Sequence, residues 1–289
     1  MPLPNPRRVL LGDLLRGVSR SFYLTLRVLP RSIRDQIGTA YLLARASDTI
    51  ADTDAVAVPE RLEALRRLGE RIAGAGTFRL AELDLEARQS SPEEKLLLQR
   101  IEDVLELMGA FPETDCRLIR QVLAIIISGQ TLDLTRFGAA SEREIVSLKT
   151  ADELDDYTYR VAGCVGEFWT RICLAHLSPK PALGETELVK LGVRFGEGLQ
   201  LVNILRDLPR DLRNGRCYLP EAELHAIKLS PSALLDPRND HALRPVYDPW
   251  LQTAEQHLAA GWSYVLALPR SWIRLRLACA WPILIGVET

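Results

Sequence analysis

Apolar residues recur at intervals of three and four positions along almost the whole chain, which is the spacing that covers one face of an α-helix. The series Leu96, Leu97, Ile101, Val104 and Leu105 is one example. No stretch shows the sustained alternation that is typical of a half-buried strand. Prolines and glycines fall between the periodic segments, where helices are expected to end. Ser91-Pro92-Glu93-Glu94 predicts a helix start with Ser91 as its cap. The spacing predicts an all-α protein of about ten helices.

The length and composition are consistent with one well-packed domain. The chain has 289 residues, 47% of them hydrophobic, which is enough to bury a large core. We find no linker or internal repeat that would separate domains, so the sequence predicts a single domain over residues 1–289. A segment rich in proline, aspartate and asparagine, from Leu229 to Pro249, predicts a long surface loop.

Charge and cysteine content exclude several classes of protein. The net charge of -2 gives no general attraction to nucleic acid. Five scattered cysteines and four histidines, without a CxxC pair, argue against a zinc site or a disulfide framework and favour a reducing cytoplasm. The N-terminus lacks the apolar run of a signal peptide, and no apolar stretch reaches the roughly 20 residues of a transmembrane helix. We therefore expect a cytoplasmic protein.

The first candidate site residues are Asp48 and Asp52, in the sequence DTIAD. Residues four positions apart lie on one face of a helix, with about 5 to 6 Å between their Cβ atoms. Tyr41 and Arg45 extend that face. An isolated pair of this kind more often belongs to a solvent-exposed helix face, because most acids are exposed. This pair alone does not establish a site.

A second polar stripe occurs far along the chain, in NILRDLPRD. Asn203, Asp207 and Asp211 follow one another at steps of four, and Gln200 lies just upstream. Apolar residues fill the other positions, so the stripe is predicted to face a cavity. Carboxylates crowded in a low dielectric repel one another unless a divalent cation supplies opposite charge. Oxygen ligands with room for waters and phosphates are typical of Mg²⁺.

Two such helices facing each other would hold a diphosphate through Mg²⁺, which would neutralise the charge that builds up as a C–O bond breaks. This chemistry produces an allylic carbocation, and the remaining cavity must then be dry, apolar and aromatic. Candidate wall residues are Phe22, Tyr41, Phe168 and Trp169. Each of these is more often an ordinary core residue.

Four segments, in this order along the chain, make the sequence similar to a known family. They are SRSFYLTLRVLP (Ser19 to Pro30), YLLARASDTIAD (Tyr41 to Asp52), YTYRVAGCVGE (Tyr157 to Glu167) and GEGLQLVNILRDLPRDLRNGRCYLP (Gly196 to Pro220). On these motifs the chain resembles the squalene and phytoene synthases over nearly its whole length. The resemblance implies the fold of a class I isoprenoid synthase, a single-domain helical bundle around a central cavity.

The resemblance also implies roles for individual residues. It places Asp48, Asp52, Asp207 and Asp211 as ligands of Mg²⁺ with the diphosphates, assisted by Asn203. Residues that it associates with binding the substrate are Ser19, Arg20, Ser21, Phe22, Tyr41, Arg45, Gln200, Asn203, Arg206 and Arg216. An arginine side chain suits this task because its planar fork matches phosphate oxygens.

Tyr157 matches a family tyrosine that handles a proton during coupling. The alternative is a helix tyrosine with its hydroxyl at the cavity rim. Gly163 and Gly166 share a helix face, and we expect them to permit close helix contact rather than to take part in chemistry.

Two features depart from the family pattern. Pro209 stands between Asp207 and Asp211, and we expect it to kink the helix and disturb the metal geometry. The chain also stops at WPILIGVET, within a predicted helix, whereas relatives that use NADPH continue with basic residues. We expect either that the chain is truncated or that those residues lie outside the given sequence. Because no GxGxxG motif follows a strand, we expect NADPH binding to use residues beyond Thr289.

The resemblance implies an Mg²⁺-dependent prenyltransferase of the squalene synthase type. Two farnesyl diphosphates would couple head to head to presqualene diphosphate, and hydride from NADPH would then give squalene; we expect this chain to perform the first step well and the second poorly. A phytoene or dehydrosqualene synthase, without reduction, is the alternative within the family. A noncatalytic helical prenyl-binding protein is the alternative of another class. The expected partners are prenyl diphosphates and, for product release, a membrane surface; the oligomeric state stays open.

Overall fold

A computed structural model describes residues 6–19, 22–76 and 91–289. Close packing of the backbone divides the chain into two compact units. The first unit comprises Met1–Leu134, Arg171–Lys180 and Arg270–Ala278, and the second comprises Thr135–Thr170, Pro181–Pro269 and Cys279–Thr289. The prediction of a single domain around a central cavity stays a prediction.

Helices make up nearly all of the described residues of the first unit. They are α1 (Pro6–Arg8), a π-helical stretch (Val9–Leu14), α2 (Leu15–Ser19), α3 (Phe22–Val28), α4 (Arg31–Ala51), α5 (Val58–Ala73), α6 (Pro92–Gln99), α7 (Ile101–Gly109) and most of α8 (Glu113–Phe137). The last turns of α10 and the first of α14, defined below, also belong to this unit.

The second unit is helical as well. Its elements are β1 (Val146–Ser147), α9 (Ala151–Thr158), a π-helical stretch (Tyr159–Gly163), α10 (Cys164–His176), α11 (Glu185–Arg213), β2 (Arg216–Cys217), α12 (Glu221–Ala226), 3-10 turns at Pro231–Leu235 and Pro237–Asn239, α13 (Asp240–Ala267) and α14 (Ile273–Glu288). In the described part of the chain, the only strands are β1 and β2, a parallel pair of two residues each. The all-α prediction is confirmed.

The punctuation of the sequence sets several helix ends. Ser91 caps α6 by accepting a hydrogen bond from the backbone N–H of Glu94, and Pro92 occupies the first helical position, as the sequence predicts. Gly74 ends α5 in the left-handed conformation, with φ of 83°, which glycine adopts without steric cost.

The predicted surface loop from Leu229 to Pro249 is wrong in its second half, because α13 already begins at Asp240 and contains Pro245 and Pro249. The physical reason is burial. Leu243, Val246 and Trp250 recur at helical spacing and are buried in the core of the second unit. This packing outweighs the backbone hydrogen bonds that the two prolines remove.

α11 supplies the centre of the second unit's core. Five leucine and isoleucine side chains on its apolar side are buried: Leu201, Ile204, Leu205, Leu208 and Leu212. Each buried side chain of this size contributes about 1.5 to 3 kcal/mol. α11 continues through Pro209 to Arg213, so the core holds the turn that carries Asp207 and Asp211 in helical form despite the proline.

α8 is long and apolar enough to cross a membrane by length and composition. Core helices meet the same criterion, and two polar residues of α8 are tied into the first unit. Asp115 is buried and bonded to Gln36 and His176, and Gln130 is bonded to Asp48. These contacts are typical of a core helix, although the predicted absence of a transmembrane helix stays a prediction.

Candidate active site

The first aspartate pair lies at the C-terminal end of α4. Asp48 is in the last turn, and Asp52 caps the helix with its backbone N–H 2.8 Å from the Asp48 carbonyl oxygen. This end of a helix carries partial negative charge, which disfavours carboxylates. The fold therefore places two negative charges where a cation would relieve their repulsion.

Two polar side chains lie against the Asp48 carboxylate. Gln130 donates a hydrogen bond from Nε2 to Oδ1, and Nη1 of Arg45 is 4.0 Å from Oδ2. Burial, followed by the charge of Asp52, raises the pKa of Asp48 to about 6, although Arg45 and Gln130 act in the opposite direction. The side chain nevertheless remains 45% exposed. Protein atoms therefore lie around the Asp48 carboxylate on several sides, while solvent still reaches it. This is the environment of a carboxylate in a concave surface, where perturbed pKa values are common.

Arg45, a predicted diphosphate ligand, is held by an acid that sequence reasoning did not identify. Its Nη2 forms an ion pair with Oε1 of Glu94 in the first turn of α6. Binding of a phosphate group by Arg45 would therefore compete with Glu94.

Gln130 is the second residue that the sequence prediction missed. It is 8% exposed on α8, and its Oε1 is buried without a hydrogen-bond partner among the described residues. An unpartnered buried polar atom costs about 1 to 3 kcal/mol, so a bound water or ligand that donates to Oε1 would offset this cost. The available signal was a lone amide in the apolar run AIIISGQTL.

The predicted substrate residues near the start of the chain have different environments. The rings of Phe22 and Tyr41 stack, with centroids 5.3 Å apart and planes at 22°. Ser19 is buried and donates its hydroxyl to the Leu15 carbonyl oxygen at 2.5 Å, which is a contact within its own helix. Arg20 and Ser21 lie outside the described residues.

The second aspartate pair, on α11, is surrounded by arginines. Arg206 contacts both oxygens of Asp207, with Nε 2.8 Å from Oδ1 and Nη2 2.9 Å from Oδ2, and Nη2 of Arg210 is 3.0 Å from Oδ2. The hydrogen bond from Arg206 is the main reason that the pKa of Asp207 lies below its ordinary value. Nε of Arg210 also approaches Asp211, at 3.8 Å. The positive charge beside Asp207 therefore comes from the side chains of Arg206 and Arg210.

The amides on α11 differ in exposure. Asn203 is exposed one turn before Asp207, and Gln200 is half-buried one turn earlier. Both lie at the spacing that the sequence predicts for the polar stripe.

Tyr157, the predicted proton-handling residue, lies in α9 and stacks on Tyr218, with ring centroids 4.7 Å apart and planes at 24°. Tyr218 in turn packs against Phe137 in an edge-to-face arrangement, with ring centroids 5.3 Å apart. Tyr218 is buried, whereas Tyr157 is partly exposed. A buried aromatic stack fixes the ring of Tyr157 and leaves its surroundings partly open.

Arg216 is positioned by backbone pairing. It lies in β2, opposite Val146 of β1, directly after Gly215, which has φ of 79°. A Cβ atom at Gly215 would lie 2.3 Å from the backbone nitrogen of Ser141, so only glycine fits this turn.

The predicted close helix contact is confirmed at Gly166, where a Cβ atom would lie 1.9 Å from the carbonyl oxygen of Gly192 on α11. At Gly163, a Cβ atom would lie 3.1 Å from Cγ of Glu197. The glycines thus bring α11 close to its neighbour, as expected. Glu197 is partly buried in this region, and burial is the main cause that raises the pKa of its carboxyl to about 7.

The first pair fits Mg²⁺. No group of three or more acidic, histidine or cysteine side chains suited to a metal occurs among the described residues, but Mg²⁺ is usually bound by one or two carboxylates together with waters and substrate phosphates. Asp48 and Asp52, crowded at the negative end of α4 beside the unpartnered Oε1 of Gln130, form such a donor set. That both aspartate pairs face each other across one cavity stays a prediction.

Comparison with known proteins gives a consistent family. Residues 15–289 match the model of the squalene/phytoene synthase family. A presqualene diphosphate synthase from Rhodopseudomonas palustris is 30% identical over 89% of this chain and 78% of its own length. A solved squalene synthase from Alicyclobacillus acidocaldarius superposes with a TM-score of 0.64 at 20% identity, covering 98% of this chain and 92% of that one. The ligand complex of TcSQS superposes with a TM-score of 0.76 at 21% identity, covering 97% of this chain and 76% of that one.

The two structural likenesses show the isoprenoid synthase helical fold, and the family match extends over most of the chain. The chain therefore belongs to the squalene/phytoene synthase family of prenyltransferases.

Proposed function

We propose that this protein condenses two farnesyl diphosphates head to head into presqualene diphosphate, releasing inorganic diphosphate and a proton. The observation that carries the proposal is the crowded Asp48–Asp52 pair at the negative end of α4. The similarity to a presqualene diphosphate synthase supports the choice of product.

In this proposal the first pair binds the metal–diphosphate group of the substrate. When bound, Mg²⁺ would neutralise charge on the departing diphosphate. Gln130 holds the Asp48 carboxylate in place and offers its Oε1 to a donor in the site. Arg45, now paired with Glu94, can share its guanidinium with phosphate oxygens.

The second pair takes part after a rearrangement. Arg206 and Arg210 already neutralise Asp207. The Arg206 side chain is about half exposed and that of Arg210 is largely exposed, so both can turn to the oxygens of an arriving diphosphate and leave Asp207 and Asp211 to a cation. We propose that Asn203 and Arg216 add contacts to the same diphosphate.

The coupling step requires that one proton leave carbon as the cyclopropane ring closes. We propose that Tyr157 handles this proton, because its ring is fixed by Tyr218 while its side chain stays partly exposed. Phe22 and Tyr41, stacked on each other, offer π faces that stabilise a carbocation and exclude water.

The described residues do not fit a dinucleotide-binding fold. Their only sheet is the two-residue pair of β1 and β2, and Gly196 and Gly198 lie inside α11 rather than after a strand. We propose no hydride-transfer step, and we expect presqualene diphosphate as the main product with or without NADPH.

Product analysis tests this function. The purified chain is incubated with farnesyl diphosphate and Mg²⁺, with and without NADPH, and with geranylgeranyl diphosphate in parallel; products are identified by mass spectrometry. Presqualene diphosphate from the C15 substrate is the expected result. Formation of dehydrosqualene, or of phytoene from the C20 substrate, would contradict the proposal and support the alternative of a dehydrosqualene or phytoene synthase. Tight substrate binding without release of diphosphate would indicate a noncatalytic prenyl-binding protein.

A further inference from the structure

Four arginines of the first unit gather on one surface. Arg27 lies near the end of α3, Arg31 and Arg34 lie in the first turn of α4, and Arg274 lies in the first turn of α14. Nη2 of Arg34 donates to the Leu29 carbonyl oxygen at 2.6 Å, which holds its guanidinium at the junction of α3 and α4. Burial and the nearby charges of Arg274, Arg31 and Arg27 lower the pKa of Arg34, so each of these three arginines lies close to Arg34.

No carboxylate among the described residues neutralises this cluster. Within the part of the chain that the structure describes, Arg27, Arg31 and Arg274 form no ion pair with a carboxylate. Asp35, the acid next to Arg34, is engaged by Arg7. The first turn of α4 contains no acid, and positive charge at this end of a helix opposes the helix dipole. An external anion would relieve this repulsion.

Large apolar side chains lie beside the arginines. Leu24, one turn before Arg27 on α3, is 61% exposed, and Ile273, next to Arg274, is 64% exposed; Leu277 is exposed one turn further along α14. Arginine next to exposed leucine and isoleucine is the composition of helices that lie on anionic bilayers, where the apolar groups enter the headgroup region.

The surface is separate from the first aspartate pair. Arg31 and Asp48 both lie in α4, and at 1.5 Å per residue they are about 25 Å apart along the helix. The arginine cluster is therefore too far from Asp48 to bind the same diphosphate.

We propose that Arg27, Arg31, Arg34 and Arg274, together with Leu24, Ile273 and Leu277, form a docking surface for a bilayer that contains anionic phospholipids. The net charge of the chain is -2, so the attraction comes from this cluster and not from the protein as a whole. The proposal does not depend on the proposed reaction, because none of these residues belongs to the candidate active site.

Vesicle flotation tests the docking surface. The full chain is mixed with vesicles of phosphatidylcholine alone or of phosphatidylcholine with phosphatidylglycerol, at low and high salt. We expect binding to the anionic vesicles only, weakened by salt. An arginine near an anionic surface increases binding roughly fivefold, so the double variant Arg31→Glu/Arg274→Glu should bind at least about 25-fold less. The control Arg117→Glu/Arg143→Glu makes the same charge change at exposed positions elsewhere and should keep binding.

A second variant separates the apolar contribution. Ile273→Asn should reduce binding to anionic vesicles several-fold while leaving the salt dependence of that binding unchanged. As controls for folding and activity, the circular dichroism spectra of all variants and their release of diphosphate from a soluble substrate should match wild type. Equal binding to both vesicle types, equal loss in the control variant, or no binding by wild type would each overturn the proposal. So would a thermal shift with inorganic diphosphate that depends on Arg31 and Arg274 in the absence of vesicle binding, since this would indicate a soluble anion. Self-association that Ile273→Asn abolishes would indicate a second copy of the chain instead.

Discussion

Asp48 and Asp207 occupy equivalent places in their motifs, each four residues before a second aspartate, yet their surroundings shift their pKa values in opposite directions. Burial and Asp52 raise the pKa of Asp48, whereas the hydrogen bond from Arg206 lowers that of Asp207. The guanidinium of Arg45 is 4.0 Å from Asp48 and is paired with Glu94, whereas Arg206 and Arg210 both lie within 3.0 Å of Asp207. Two aspartate pairs with the same spacing therefore need not have the same metal affinity.

We infer from this contrast that the first pair accepts a cation without substrate, and that the second pair does so when a diphosphate draws its arginines away. The predictions below test the contrast, starting with the largest expected effect.

Asp48→Asn and Asp207→Asn should each lower turnover of farnesyl diphosphate by more than about a hundredfold, equivalent to about 2.7 kcal/mol, because each removes a proposed metal ligand. Steady-state release of diphosphate measures this. The control is Asp236→Asn, since Asp236 is bonded to Arg238 much as Asp207 is to Arg206 but belongs to no motif. Turnover within tenfold of wild type in either active-site variant would contradict the assignment of that carboxylate.

Gln130→Leu should raise the Mg²⁺ concentration needed for half-maximal turnover by about 10- to 100-fold, the usual effect of removing a group that orients a metal ligand. Gln36→Leu is a matched control, because Gln36 is also a buried amide bonded to an aspartate, here Asp115. The control should lose some stability but keep its Mg²⁺ dependence. An identical response of the two variants would show that Gln130 has only a structural role.

The Mg²⁺ affinity of the substrate-free protein should depend on pH near 6. The Asp48 carboxyl, with a pKa of about 6, holds a proton below that pH and must release it to bind a cation. Affinity should therefore rise through about pH 6 and then level off, falling nearly tenfold per pH unit on the acid side. Calorimetric titration of wild type and Asp207→Asn should show this step. A flat profile in wild type would contradict the raised pKa.

The smallest expected effect is on stability. A raised carboxyl pKa means that the folded protein binds the proton more tightly than the unfolded chain. Stability should therefore fall as the pH rises from about 4, the ordinary pKa of an aspartate, to about 6, the pKa of Asp48 in the folded protein, and the loss is complete above pH 6. At neutral pH without metal, Asp48→Asn should thus raise the melting temperature by about 1 to 2 °C, and Asp207→Asn should lower it by about as much, since the exposed ion pairs are worth little. Scanning calorimetry measures both. Shifts of the same sign would contradict the contrast.

Local patterns in the sequence predicted the all-helical fold, the cap at Ser91 and the spacing of both polar stripes, because helical periodicity and capping depend on neighbouring residues. They did not predict the helical part of the Leu229–Pro249 segment, where tertiary burial of Val246 and Trp250 outweighs proline. They also missed Gln130 and Glu94, which reach the first motif from other helices. The lone amide in the apolar run of α8 is a local signal for Gln130, but local spacing does not show which residues the fold brings together from different helices.

Counting bound Mn²⁺ by electron paramagnetic resonance, as a probe for Mg²⁺, tests the central contrast most directly. The account predicts that substrate-free wild type and Asp207→Asn bind Mn²⁺ equally, that Asp48→Asn does not, and that inorganic diphosphate increases the number of bound ions in wild type but less in Asp207→Asn. If Asp207→Asn abolishes binding in the absence of diphosphate while Asp48→Asn retains it, the order of the two aspartate pairs is reversed and the account is contradicted.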